Sequence, residues 1–570
     1  MSQKKAKKQR KLEKEKRAEK VSNFGGKEND FLGIIKQNWK FLSVLLGGIF
    51  LLFVNALGGD FVSDDYATIP HNPMIKEFSS LFPDFNLVSL SKYLIAVIFG
   101  IESPMPYHLF SLILFLMISV LVFVYTYLLT NKNIAYLTSI IFAVMPIHVE
   151  SVSWISGVPY LLVSFFILLS LLYLAIYSKT GSTKSLIWAG VFFVLAFFSD
   201  RVRSFALIPL FLVYMVAYKN RIKVRFEVGK ILVGLLAAGT IMGVIMWPKI
   251  MDRLTSVNSG YNKTDGIFYD PFFQYPTTVT KYLQLMFAPT DLTLYHTMYV
   301  IPEWINWLVL VLYLGLVAYT FVKHKTMFFA LVFIFLATAP SMAPLKVSWL
   351  VAERYAFLGS FGFSLFMGLV FDFLRKKYRQ LSYTVLALLC LVYGIRILMR
   401  NNDWSTNHKL WVNTVQVSPN SHNAWNNIGD DYDKLEDYEN AIKGFTQSTV
   451  VKNNYADAYH NRANIFYKIG RLDLARESYE IAMYYSQGLY QTIVSLTQID
   501  LIEQKYDLAM EHGKMLIQKD PNNPQSYYVM GVVYAEMGDK EEAGKLFRNA
   551  LGLSPNFKPA LEGLEKLRNL

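Results

Sequence analysis

The sequence predicts an all-α chain in two parts, a polytopic membrane domain of about eleven helical spans and a C-terminal helical-repeat solenoid. Three observations carry this. Of the 570 residues, 53% are apolar and 15% aromatic, a composition suited to a lipid-embedded part with a soluble part attached. About eleven apolar segments of roughly 15–23 residues lie between residues 40 and 399. From residue 401 the composition turns polar, and a period of 34 residues appears.

The charge is as uneven as the hydropathy. The formal net charge is +13, yet residues 1–20 alone hold ten Lys/Arg against three Glu, while 401–570 hold 17 basic residues against 22 acidic ones. A nucleic-acid partner is therefore excluded as the reading of the basic balance. Residues 1–38 form a basic cytoplasmic tail, and its Lys/Glu-rich first thirty residues are too polar to pack a core. The single cysteine, Cys390, lies inside an apolar run and rules out an intrachain disulfide. This suits a bacterial cell membrane better than the endoplasmic reticulum.

The membrane domain covers 39–400. Its expected spans are 40–58, the first of them a retained signal anchor, then 107–129, 133–148, 158–177, 185–199, 204–218, 228–247, 303–322, 326–343, 355–371 and 381–399. Leu87–Phe99 is too short to cross and reads as an interfacial or re-entrant helix. Orientation follows from basic residues. With the tail inside, the inner loops carry fourteen Lys/Arg against two acidic residues, Glu227 and Asp372. An odd number of spans then puts the solenoid on the extracytoplasmic side.

Residues 401–421 form a connector and half repeat, with Trp411 and Pro419 at signature spacing, and 422–570 the repeat domain. Ala441, Ala475, Ala509 and Ala543 recur every 34 residues; Gly429, Ala463 and Gly531 supply the small residue of a first helix and Phe445, Tyr479 and Phe547 the aromatic of a second. Small residues let paired helices approach, and aromatics fill the space between pairs. This is the tetratricopeptide pattern, with repeats at about 422–455, 456–489, 490–523 and 524–556 and a capping helix over 557–569. The third repeat is the weakest, with Thr497 and Gly513 at signature positions. Asp430, Asp431 and Asp433 lack a calcium-loop glycine and read as a solvated face.

Four polar clusters fall in outer loops of the membrane domain. Asp60, Asp64 and Asp65 follow the first span, where an anion loses hydration and is costly to keep. His148 and Glu150, followed by Trp154 and Gly157, end the third; Asp200, Arg201 and Arg203 form a tight hairpin; Lys346, Glu353, Arg354 and Tyr355 open the tenth. His108, at the start of the second span, adds an interfacial imidazole. Carboxylates, imidazoles and cations around one membrane face suit transfer from a lipid phosphate, with cations holding the phosphate and a carboxylate taking a hydroxyl proton. Each also has a purely structural reading. Asp60 can be a solvated helix end, His148 can bond a carbonyl near Pro146, Arg354 can pair with Glu353, and Arg201 and Arg203 can snorkel to head groups. Adjacent carboxylates are compatible with a divalent cation but supply too few ligands to specify one.

At these residues the chain resembles the transmembrane O-mannosyltransferases that target cadherins, and their bacterial tetratricopeptide-bearing relatives, within the GT-C glycosyltransferase superfamily. The segments that carry the resemblance are GDFVSDDYATIPHNP (59–73), MPIHVESVSWISG (145–157), LQLMFAPTDLTLY (283–295), AERYAFLGSFG (352–362) and RNNDWSTNHKL (400–410). The resemblance implies a GT-C-type fold for the membrane domain. It also implies an inverting transferase that moves mannose or a similar hexose from a polyprenyl-phosphate donor to protein Ser/Thr. The family's acidic motif maps to Asp64 and Asp65 as catalytic residues. Arg354, Lys346, His148, Glu150, Arg201, Arg203 and His108 are the expected donor-phosphate or substrate contacts. Where the family often has an Arg-Pro pair, this chain has Leu87-Val88-Ser89-Leu90, and where it tends to Lys-Glu, this chain reads Ser199-Asp200-Arg201. Expected partners are the polyprenyl-linked sugar, membrane lipid and a protein acceptor on the repeat surface. The competing class is a non-enzymatic membrane-anchored scaffold. A transporter is disfavoured, because few ionisable residues fall at mid-membrane depth.

Overall fold

A computed structural model describes residues 31–72, 75, 77–81, 85–219, 222, 251, 270–342, 349–486 and 488–569. Every described element is helical. The chain divides into two compact units, 1–410 and 411–570.

In the first unit six described helices are long and apolar enough to cross a membrane: Trp39–Gly58, Met105–Leu129, Ile155–Thr180, Glu303–Lys323, Glu353–Lys377 and Arg379–Asp403. A seventh arises if Lys132–Ala143 and Pro146–Ser153, which meet at a bend of 57°, count as one broken span. The break falls at Met145-Pro146, where a proline has no N–H for the preceding turn. Of the eleven predicted spans, these seven account for seven. The runs 185–199, 204–218 and 326–343 appear as shorter apolar helices, Thr183–Ser199, Arg203–Ala217 and Lys325–Thr338. The span expected at 228–247 lies outside the described residues. Leu87–Phe99 is a separate helix of 13 residues.

Three of the long helices, Trp39–Gly58, Glu303–Lys323 and Arg379–Asp403, keep most of their apolar surface outward, with Val44, Leu51, Val311, Val322, Leu391 and Val392 exposed. In water that surface would be unfavourable, and against lipid it costs nothing. Glu353–Lys377 is the opposite case and runs through the interior. Its glycines allow this: a Cβ on Gly362 would stand 2.6 Å from the Ala330 carbonyl oxygen, and one on Gly368 would overlap Thr138. Small residues let this helix pack backbone-close against Lys325–Thr338 and Lys132–Ala143.

One helix, Pro271–Phe287, has no counterpart among the predicted spans. It buries Gln274, Thr277, Thr278, Thr280 and Lys281, so a scan for apolar runs passes over it.

The second unit contains consecutive helix pairs, His422–Lys434 with Tyr438–Val451, Ala456–Lys468 with Leu472–Ser486, Tyr490–Ile502 with Tyr506–Lys519, and Pro524–Glu536 with Lys540–Leu553, followed by Lys558–Asn569. The 34-residue signature has a direct packing cause. Ala441, Ala475, Ala509 and Ala543 are fully buried. A Cβ on Gly429 would reach 2.8 Å from the Phe445 ring, and one on Gly531 2.6 Å from Phe547. In the third repeat Met530 fills the space above Gly513. Asp430 and Asp433 pair with Lys434 and Lys468 at 2.6 Å each, as a solvated face would, but Asp431, expected on that face, is turned inward and buried.

Candidate active site

The first loop turns at once after the Trp39–Gly58 helix. Asp60 is exposed, and its backbone N–H, not its carboxylate, ties the loop by donating to the Ser405 carbonyl at 2.9 Å. Ser63 follows with φ 53°, a left-handed conformation that costs a non-glycine residue on the order of 1 kcal/mol. The Asn407 side chain holds it there by accepting from the Ser63 N–H at 2.8 Å. Asn401 fastens the same region, donating to the Leu52 carbonyl and to Asn55 and accepting from Ser153 Oγ at 2.7 Å.

The strained turn separates the two acids. Asp64 is exposed, whereas Asp65 is fully buried. Asp65 Oδ1 accepts from Ser156 Oγ at 2.6 Å and from the Ser156 N–H at 2.8 Å, and Oδ2 accepts from the Val62 N–H at 3.2 Å. Burial pushes its pKa up to about 6, against the opposing pull of these bonds and of the Lys92 charge.

Ser156 belongs to a short segment that reaches further. Trp154, two residues earlier, lies under the Arg354 guanidinium at 5.3 Å, and Tyr160, four residues later, under that of Arg203 at 4.4 Å. The two arginines also meet on Tyr355, whose ring centre is 5.0 Å from Arg354 and 4.8 Å from Arg203. Each carries one carboxylate. Glu150 forms an ion pair with Arg354 and accepts its backbone N–H at 2.7 Å, both side chains being buried. Asp200 forms an ion pair with Arg203 and accepts the backbone N–H groups of Val202 and Arg203 at 3.0 and 2.8 Å. Trp154–Tyr160 therefore touches the acidic turn and both guanidinium groups. Gly157 makes that turn possible: a Cβ there would lie 2.8–2.9 Å from the Ser151 and Glu150 carbonyl oxygens and Ser151 Cα, all backbone. Gly157→Ala is expected to destabilise the protein by about 1–3 kcal/mol and to depress its function more than its yield. A melting curve in detergent indistinguishable from wild type would show that the turn can give way.

The remaining expected site residues are placed differently. His148 is sealed among the rings of Phe142, Phe357 and Phe115 at 4.5, 4.9 and 5.2 Å, with Nε2 at 2.7 Å from Ser360 Oγ, and is fully buried. His108 is buried beneath the first loop, 3.3 Å from where a Cβ of Gly59 would stand. Arg201 is half-buried on the turn that carries Arg203. Lys346 lies outside the described residues.

Glu353 does not pair with its neighbour Arg354. It accepts from Arg400 Nη2 at 3.1 Å and from the Thr293 N–H at 2.6 Å, with His296 Nε2 at 3.6 Å. This second buried knot pins the loop after Pro271–Phe287, which Lys281 and Arg396 also hold through Asp291 and the Pro289 carbonyl. Ser156, Tyr160, Lys92 and Arg400 are the residues that sequence reasoning missed. Ser156 and Tyr160 stand inside or beside the 145–157 motif and Arg400 opens the 400–410 motif, which was the available signal; Lys92 gave none. Among the described residues no cluster of three or more His, Cys, Asp or Glu could hold a metal ion.

A tetratricopeptide repeat model matches residues 422–449, 456–487 and 524–557. Over 92% of its length the chain is 23% identical to protein O-mannosyl-transferase TMTC3 of Homo sapiens, and it aligns to the Mus musculus protein of that name with the same identity and coverage. It spans 61% of the length of these curated relatives. A shorter match, 26% identical over 24% of this chain and 26% of the other, is to the TPR repeat-containing protein MJ1428 of Methanocaldococcus jannaschii. The resemblance to O-mannosyltransferases carried by the motifs is thus shared by an alignment over 92% of this chain and 61% of the relatives, and the all-α membrane-plus-tetratricopeptide architecture holds.

Proposed function

We propose that the chain is a membrane glycosyltransferase that moves a hexose, mannose or a close relative, from a polyprenyl-phosphate donor to a protein Ser/Thr hydroxyl on the extracytoplasmic side. The single observation that carries this is the contact of Trp154–Tyr160 with the acidic turn at Ser156 and with both arginines at Trp154 and Tyr160. The alignment with proteins named O-mannosyl-transferase supports it over most of the chain. The Lys/Arg bias of the loops supports the sidedness.

In this reading Arg203 and Arg354 hold the donor phosphate. A guanidinium offers five N–H donors in a planar fork, so one carboxylate per arginine leaves donors for a phosphate. Asp64, the exposed acid, takes the proton of the acceptor hydroxyl as its oxygen bonds to the anomeric carbon. The bond from that carbon to the phosphate oxygen breaks on the opposite face, inverting the centre, and the polyprenyl phosphate leaves with the electron pair. The arginines balance the charge that develops there. Asp65 anchors the turn that presents Asp64. The tetratricopeptide unit recruits the acceptor protein, as stacked helix pairs make an extended concave surface.

The test is incubation of the purified protein with a panel of polyprenyl-phosphate sugars and Ser/Thr peptides, followed by mass analysis. Transfer of one hexose is expected. Absence of both transfer and donor hydrolysis across the panel would favour a scaffold.

A pH dependence follows. Asp65 accepts its three hydrogen bonds most strongly as the carboxylate, and it loses its proton only as pH rises through about 6. The rate is expected to climb through that value, with the acid limb of kcat/KM near 6. An acid limb near 4 would count against it. The stability contribution has the opposite sign: a raised carboxyl pKa favours the fold below 3.8, and that contribution is lost as pH passes 6.

A further inference from the structure

Leu87–Phe99 is a helix turned inside out. Its one buried residue is Lys92, while Val97, Ile98 and Phe99 are more than 60% exposed. A lysine is the residue of this helix least suited to burial, because desolvating an ammonium is costly unless nearby charge compensates it. The ammonium donates to Thr68 Oγ1 at 2.8 Å. Thr68 Oγ1 in turn lies 3.3 Å from Ser156 Oγ, which donates to Asp65 Oδ1 at 2.6 Å. The hydroxyls of Thr68 and Ser156 thus link the cation to the buried acid.

The charges facing Lys92 are those of Asp65 and Asp64. Among the described residues, the elements packed most closely against its helix are Phe78–Leu81, Met105–Leu129, Val158–Thr180 and Thr183–Ser199. Their titratable groups nearest the loop are engaged elsewhere. Tyr107 donates to the Gly100 carbonyl, His108 stands against Gly59, and Tyr160 lies under Arg203.

We propose that Lys92 is the positioning residue of the acidic pair, holding Asp65 through Thr68 and Ser156 and supplying the positive charge that keeps the buried carboxylate ionised. It does not touch substrate; it sets the geometry and protonation of the turn that presents Asp64. Burial lowers the Lys92 pKa from its ordinary value, and the two carboxylates oppose that. The kinetic consequence rests on the transferase reading, and the ionisation of Asp65 does not.

The test uses the full chain in detergent, as wild type, Lys92→Met, Lys92→Gln and Lys92→Arg, with two measurements. The first is the pH–rate profile of transfer. The second is carbodiimide labelling of Asp65 against pH, read by peptide mass spectrometry, which reports the protonated carboxyl without turnover. In Lys92→Met and Lys92→Gln, both the acid limb and the labelling midpoint of Asp65 should move up by about one pH unit or more, with kcat falling and donor KM nearly unchanged. Lys92→Arg, which keeps the charge, should stay near wild type. A labelling midpoint unchanged in the folded Met or Gln variant overturns the proposal. A wild-type protein that transfers nothing defeats the transferase reading instead, and the labelling still decides the role of Lys92.

Discussion

Replacing Asp64 and Asp65 together with Asn is expected to abolish transfer, a loss of about 10²–10⁴-fold or more, while membrane insertion is kept. The two single variants should fail differently. Asp64→Asn removes an exposed carboxylate, so its melting temperature should match wild type while transfer is lost. Asp65→Asn replaces an acceptor-only group with one that carries an NH2, and one end of the amide must then face a donor, Ser156 or the Val62 N–H. It should lose both activity and turn stability. The check is a transfer assay beside thermal unfolding for all three proteins. Full activity in the double variant would end the catalytic assignment.

The second large effect concerns Glu150 and Arg354. Both are buried and paired, so removing either leaves a lone charge in a low-dielectric interior. Glu150→Gln or Arg354→Met is expected to destabilise by about 3–5 kcal/mol. The double replacement Glu150→Gln with Arg354→Met removes both charges and should recover much of that stability. Activity should not return with it if Arg354 holds phosphate. Unfolding temperatures and transfer rates for the three variants close the cycle. Recovered activity in the double variant would make the pair a structural brace.

The outcome shows which physical signals a sequence carries. The repeat unit was legible because its packing rule is local: an alanine or glycine and an aromatic at fixed offsets meet between helices that are neighbours in the chain. The acidic turn was legible because carboxylates beside a membrane span are expensive. Pairings made by tertiary contact were not. Adjacency suggested Glu353 for Arg354, yet successive residues of a 3₁₀ turn point apart, and each found a partner from a distant segment. Lys92 was hidden by its company, the single charged residue in an apolar helix that reads as interfacial. Pro271–Phe287 was hidden by the reverse, since a helix that buries threonines has no hydropathy peak. His148 has the residue type of a site group, but three phenylalanine rings enclose it.

The turn Trp154–Tyr160 has a thermodynamic consequence. One short piece of backbone, creased at Gly157, touches both the two arginines and the acidic turn. Work done on it from either side is felt on the other, and linkage requires the two effects to be equal. A phosphate-bearing molecule that tightens the grip on an acceptor hydroxyl by some factor must itself be gripped more tightly by that same factor once the acceptor is bound. If donor and acceptor bind on the two sides as proposed, their cooperation would run through a single crease of the chain.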